Sequence, residues 1–214
     1  MTETIKNQLD ELAKTVNSIP SILNSDKKFG NTEKETLFLA YHDLDMEHIE
    51  ALHLLLRKEL HGSAFALVRT FYETFYRALW MFAFATDEQV NKIRNGKYDF
   101  PNMGSKILEL DSYYTGDEFF KNMKQGTWNN MCDYTHSGTC QLSRRWTNNE
   151  LVPNYNENEI LEVIIHTRKI ILLFTYTLVK IHGYTDDEVK VLNLIENDNK
   201  NSQSILDTMY EKIS

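Results

Sequence analysis

The sequence contains little proline, glycine or cysteine. Only 3 prolines and 8 glycines occur among 214 residues. Because these residue types end helices and form turns, their scarcity favours long helices over short strands joined by tight turns. The two cysteines, Cys132 and Cys140, are too few for a disulfide scaffold and fit a reducing compartment.

Long apolar runs are absent as well. The uncharged stretch Ile170–Val179 is about half as long as the ~20 apolar residues that a membrane-spanning helix needs. Residues 1–10 are polar and acidic, whereas a signal peptide has an apolar segment there. We therefore expect a cytoplasmic protein with no membrane partner.

The charge balance is acidic, with a formal net charge of −8. A negative overall field does not attract nucleic acid, so any such contact requires a local basic patch. We expect no DNA binding, and an RNA or nucleotide ligand only where arginines cluster.

Helical periodicity runs along most of the chain. An apolar stripe predicts a first helix that ends before Pro20, and N-terminal capping pairs predict further helices that begin near Thr32, Thr86, Asn156 and Thr185. Gly62 is predicted to end the second helix, and Ser202 to begin a last short one. The segments Ser63–Ala85 and Glu157–His182 are apolar on nearly every face and should be buried. We predict one all-α domain over residues 1–214, an irregular bundle of six to nine helices.

A charged stripe interrupts the first of these apolar segments. Arg69, Glu73 and Arg77 are four residues apart and are its only charged residues, so they share one helix face. One interpretation is a structural ion-pair ladder that fixes helix register. The other is an anion site, in which the planar arginine forks bind phosphate or carboxylate and Glu73 orients them.

A second polar motif surrounds His136. This histidine precedes a Ser-Gly break, where a helix is expected to end, and it could act as an acid or base. Alternatively, it caps its own helix dipole. The hypothesis assigns catalytic roles to Arg69, Glu73 and His136. It assigns ligand binding to the nearby arginines, a tyrosine and a serine, namely Arg77, Tyr134, Ser137, Arg144 and Arg145.

These motifs carry a resemblance. The run from Ala66 to Trp80 and the later His136-Ser137-Gly138 resemble the ALxRxxxExxxRALW helix and HSG segment of a bacterial all-helical family of unknown function. More distantly, the chain is similar to HEPN domains, which implies metal-independent RNA cleavage in stress or phage defence. HEPN domains place a histidine after an arginine, with four to six residues between them. The nearest match here, Arg57-x3-His61, has three, so Arg69 and His136 would have to meet from separate helices.

In the RNA-cleavage hypothesis, His136 removes the 2′-hydroxyl proton and an arginine stabilises charge on the phosphorane. We predict no cofactor and no metal. A metal-dependent enzyme remains an alternative, through Cys132-x3-His136-x3-Cys140 or Glu50-x-x-His53. A further alternative is a non-enzymatic interaction module, since 11 tyrosines and 11 phenylalanines suit an aromatic interface. The apolar stripes exceed what one central helix pair can cover, so we expect a homodimer.

Overall fold

The computed structural model describes residues 1–23, 28–114, 118–124, 131 and 134–211. Within these ranges it contains nine helices and one short hairpin, which confirms the all-α prediction. The helices are α1 Glu3–Ile22, α2 Glu33–Arg57, α3 His61–Phe84, α4 Asp87–Arg94, α5 Met103–Tyr114, α6 Phe119–Lys124, α7 Thr139–Ser143, α8 Glu157–Ile181 and α9 Thr185–Glu211. A short antiparallel hairpin is formed by β1 Trp146–Thr147 and β2 Glu150–Leu151.

Side-chain caps fix several helix starts as predicted. The Thr32 side chain accepts from the Glu35 N–H, and Thr86 and Gln89 form a reciprocal capping box. Asn156 caps α8 in the same way, with its own N–H donating to Glu159 at 3.3 Å. Each cap satisfies amide groups that have no acceptor inside the helix.

Three predicted boundaries are wrong. Helix α1 continues through Pro20, because Ile19 and Ile22 are buried beyond it and packing outweighs the lost hydrogen bond. Gly62 lies inside α3, while Glu59 adopts the left-handed conformation after α2, with φ of 56°. The chain from Thr185 to Glu211 forms one helix, and Ser202 is buried within it.

The two apolar helices lie at the centre, as predicted. Helix α2 packs along α3, α9 packs along α8, and α1 contacts α8 and α2. The aromatic contacts that join α2, α3 and α8 centre on Phe174, whose ring centroid lies 5.0 Å from that of Phe38 and 5.2 Å from that of Phe75. No helix in the described ranges is both long and apolar enough to cross a bilayer.

Two polar groups are buried on the inner face of α2. His42 lies 2.9 Å, through Nε2, from the Thr175 hydroxyl, which itself donates to the Ile171 carbonyl. The threonine oxygen therefore accepts from His42, whose Nε2 carries a proton. Burial lowers the pKa of His42 to about 4. One turn along, Asp45 is fully buried, and neither carboxyl oxygen accepts a hydrogen bond from a described residue.

A buried ion pair joins three helices at the other side of α8. The Arg168 guanidinium donates through Nε to Asp198 of α9 and through NH2 to the Gln8 side chain of α1, the latter at 3.0 Å. Arg168 is 1% exposed, so this pair is isolated from solvent. It fixes α1 and α9 against the central helix.

Candidate functional site

The charged stripe of α3 forms a continuous ion-pair chain. Arg69 donates through Nε to Glu73 Oε1 at 2.9 Å, and Arg77 donates through NH2 to Glu73 Oε2 at 3.1 Å. The side chains of Arg69 and Glu73 are 23% and 21% exposed, and that of Arg77 is 41% exposed. The stripe is therefore partly open to solvent, and the core does not enclose it.

The helical repeat explains why the stripe faces outward. Residues at i, i+4 and i+8 share one face of a helix, and the intervening positions of α3 turn toward the core. There, the side chains are large and almost completely buried: Phe71, Tyr72, Phe75, Tyr76 and Leu79. The apolar face fixes the helix against α2 and α8, and so the charged side chains project from a rigid element.

His136 meets this stripe from a separate segment. Its Nε2 lies 3.0 Å from Arg69 NH1. Arginine can only donate, so Nε2 accepts the hydrogen bond and the ring is neutral, with its proton on Nδ1. The Thr135 hydroxyl lies 2.9 Å from the Met131 carbonyl and 3.3 Å from the Ala66 carbonyl of α3. Ser137 takes a left-handed conformation with φ of 53°.

Two of the predicted ligand-binding residues contact protein groups next to the stripe. Tyr134 is buried, and its ring packs edge-on against Phe65 of α3 at 5.0 Å. Burial raises the pKa of Tyr134, while its hydrogen bond with Arg144 opposes that rise. Arg144 in turn forms an ion pair with Glu159 of α8. These contacts hold the segment that carries His136 against both central helices.

Arg145 lies against the start of α3. A Cβ atom added at Gly62 would be 2.6 Å from Arg145 NH2 and 3.0 Å from the Tyr155 hydroxyl, and therefore glycine allows this close approach. Gln141 donates to the Gly62 carbonyl at 2.8 Å. Sequence reasoning missed Gly62, Gln141 and Tyr155. A glycine near the start of a strongly helical pattern was the only available signal.

The alternative metal sites gain no geometric support. No group of three His, Cys, Asp or Glu residues within the described ranges could hold a metal ion. Cys132, one of the three residues in the first alternative, lies outside those ranges. In the second alternative, His53 Nε2 accepts from Arg57 Nε at 3.2 Å.

Fold and site together define an all-α bundle with an arginine–glutamate–arginine–histidine cluster at the edge of its central helix. The chain belongs to DUF6988, a family of unknown function, with the match covering residues 42–200. That range includes the complete cluster and agrees with the resemblance to an uncharacterised family. Searches of curated proteins and of solved structures found no match.

Proposed function

We propose that Arg69, Glu73, Arg77 and His136 bind a phosphate-bearing ligand. The supporting observation is the 3.0 Å contact between the Arg69 guanidinium and the His136 imidazole, which come from separate elements. Arginine forks suit phosphate oxygens, and the shared Glu73 carboxylate orients both forks. Solvent reaches all three side chains of the stripe, so a ligand can reach them too.

A purely structural role explains the stripe less well. Ion pairs that remain partly exposed typically contribute only ~0–1 kcal/mol to stability. Glu73 and Arg77 keep 21% and 41% of their side-chain surface exposed. The ladder therefore gives the fold little stability, although it places three charges on an otherwise apolar helix.

The reaction we propose is metal-independent cleavage of RNA, as in HEPN domains, with a cytoplasmic role in stress or phage defence. When an RNA phosphate replaces His136 as the hydrogen-bond acceptor of Arg69, the His136 Nε2 atom becomes free to accept the 2′-hydroxyl proton. The 2′ oxygen then attacks phosphorus and the bond to the 5′ oxygen breaks. That oxygen takes up a proton from water, and His136 releases its proton to solvent. The products are a 2′,3′-cyclic phosphate and a 5′-hydroxyl. Arg69 and Arg77 stabilise the charge on the phosphorane.

Cleavage and binding of a fluorescent single-stranded RNA, with EDTA present, test this proposal. His136→Ala should slow cleavage by about 10²–10⁴-fold, the usual contribution of a general base, and should weaken binding far less than it slows cleavage. Arg77→Gln should weaken binding by about tenfold, or ~1.4 kcal/mol. Arg94→Gln is the matched control, because Arg94 is an exposed arginine that pairs with Glu33 and not with Glu73. If the Arg77→Gln and Arg94→Gln variants bind equally well, the stripe is structural.

Homodimerisation is a second proposal, and an exposed apolar surface favours it. Trp146 and Leu151 are cross-strand partners in the hairpin, and both are exposed, as are Leu142 and Val152 beside it. Residues directly opposite in an antiparallel pair share one face of the sheet. Two copies that meet here would bury these side chains symmetrically.

Light scattering at micromolar concentration should therefore give twice the chain mass of 25.1 kDa. Leu151→Asp should convert the protein to monomer, because dimerisation would then bury a charge. Leu108→Asp is the control, since Leu108 is an exposed leucine on α5. A single-chain mass for the wild type would refute the dimer.

A further inference from the structure

An aromatic cluster adjoins the Arg77 end of the stripe. Trp80 stacks on Tyr98 with ring centroids 6.0 Å apart and an interplanar angle of 18°. Phe100 lies edge-on to both rings, and the Arg77 guanidinium carbon is 5.2 Å from the Phe100 centroid. Trp80 is buried, whereas Tyr98 and Phe100 are half-buried. The cluster thus lies beneath a surface that solvent partly reaches.

Two buried donors in this cluster lack an acceptor. Arg77 Nε and Trp80 Nε1 have no hydrogen-bond partner among the described residues. They are three positions apart on α3 and are therefore neighbours on one face. An unsatisfied buried N–H costs free energy, and each such group needs an explanation. Both side chains also contact the Phe100 ring, so the two donors belong to residues that border the same aromatic cluster.

We infer that this cluster is the subsite for the base of a nucleotide or nucleotide unit whose phosphate is held by the stripe. The inference rests on the proposed function and adds the substrate class to it. A nucleobase has π faces that stack on aromatic rings, and it has oxygen and nitrogen acceptors in its plane. These match the half-exposed rings of Tyr98 and Phe100 and the donors of Arg77 and Trp80.

Arg77 connects the two parts of this site. Its NH2 group donates to Glu73 at 3.1 Å, and its guanidinium lies over the Phe100 ring. The Tyr98 ring is held in place, because its hydroxyl accepts a hydrogen bond from Gln89 Nε2 at 2.9 Å. Phe100 has no such anchor, since it lacks a polar group. A change of the Phe100 side-chain rotamer would therefore be needed to expose the two donors to the base.

Calorimetric binding of uridine monophosphate, adenosine monophosphate and ribose 5-phosphate tests the inference. Both nucleotides should bind at least tenfold more tightly than the sugar phosphate, because only they carry a base. Trp80→Phe keeps an aromatic ring but removes the N–H donor, so it should reduce this preference severalfold. It should leave ribose 5-phosphate binding unchanged. Tyr113→Phe, which removes a polar hydrogen from an exposed ring of α5, is the control and should behave as the wild type.

Phe100→Leu provides a second variant, at a position that is only half-buried. It removes a stacking surface and should also reduce the preference for nucleotides over ribose 5-phosphate. Equal affinity for all three compounds in the wild type would show that the base subsite is wrong while the phosphate site stands. If none of the three binds, both the subsite and the proposed phosphate site are wrong. An unchanged preference in both variants would also overturn the assignment of the base to this cluster.

Discussion

Replacing Arg168 by alanine is expected to lower the free energy of unfolding by about 3–5 kcal/mol, the usual cost of removing one partner of a buried ion pair. Arg168 is 1% exposed, and its guanidinium is the ionic partner of the buried Asp198 carboxylate. Asp198 Oδ2 already lacks a hydrogen-bond partner among the described residues. Without Arg168, α9 would carry an uncompensated buried charge against α8. Urea unfolding followed by circular dichroism measures the change.

The double variant Arg168→Met, Asp198→Leu is the control for this prediction. It removes both charges and fills their volume, so it should recover most of the stability lost in Arg168→Ala. A helical circular dichroism signal in both variants at low urea, equal to that of the wild type, would show that they still fold. A loss below about 1 kcal/mol for Arg168→Ala would mean that solvent reaches the pair, as for a surface ion pair.

Contacts between residues close together in the sequence were predictable, whereas contacts between distant residues were not. The pairing of Arg69, Glu73 and Arg77 follows from their four-residue spacing, and the structure contains both expected contacts. Arg168 and Asp198, which form the buried ion pair, are 30 residues apart and lie on different helices. No spacing pattern within one helix predicts that they meet. Periodicity identifies the buried helices, but it cannot assign partners across them.

Turn chemistry accounts for one of the three wrong boundaries, the end of α2. A glycine after an apolar run often ends a helix, and for this reason Gly62 was predicted to end α2. Here Glu59 adopts the left-handed conformation, an uncommon choice for a residue with a side chain, and Gly62 instead makes room for Arg145. The Ser-Gly break after His136 was predicted correctly, although Ser137 rather than Gly138 takes the positive φ.

The candidate site was predictable in its residues but not in its surroundings. The motif resemblance selected both Arg69 and His136, 67 residues apart, and the structure places them in contact. The aromatic cluster of Trp80, Tyr98 and Phe100 was not predicted, because it combines a helix with a loop whose path the sequence does not indicate. Unpartnered donors likewise become visible only once the neighbours of each side chain are known.

Acidification is expected to destabilise the protein through the buried histidine of α2. His42 has a folded-state pKa of about 4, whereas in the unfolded chain its pKa is about 6.5. Between these two pKa values, His42 binds a proton in the unfolded chain and stays unprotonated in the folded protein. The free energy of unfolding therefore falls as the pH falls from about 6.5 to about 4. One pKa unit corresponds to about 1.4 kcal/mol, and therefore the full loss from His42 is about 3 kcal/mol. His166, whose pKa burial also lowers to about 4, adds a loss of the same sign.

Asp45, one turn from His42, should act with the opposite sign. Burial raises the pKa of Asp45 well above its usual range, and the nearby Thr74 side chain opposes that rise. The folded state therefore keeps a proton that the unfolded chain releases, and this contribution to stability is lost as the pH rises. Asp45→Asn cannot titrate, so its stability relative to the wild type should increase from acidic toward alkaline pH.

Urea unfolding of the wild type, His42→Leu and Asp45→Asn at a series of pH values from about 4 to 8 separates the two contributions. His42→Leu keeps an apolar side chain in the core and removes the titrating ring, so it should lose less stability on acidification than the wild type by about 3 kcal/mol. The acid loss that persists in this variant is assigned to His166 and the carboxylates. His48→Leu is the control, because His48 is only half-buried on the same helix and should change the profile much less. Parallel profiles for His42→Leu and the wild type would mean that folding does not lower the pKa of His42, which contradicts the effect expected of its burial.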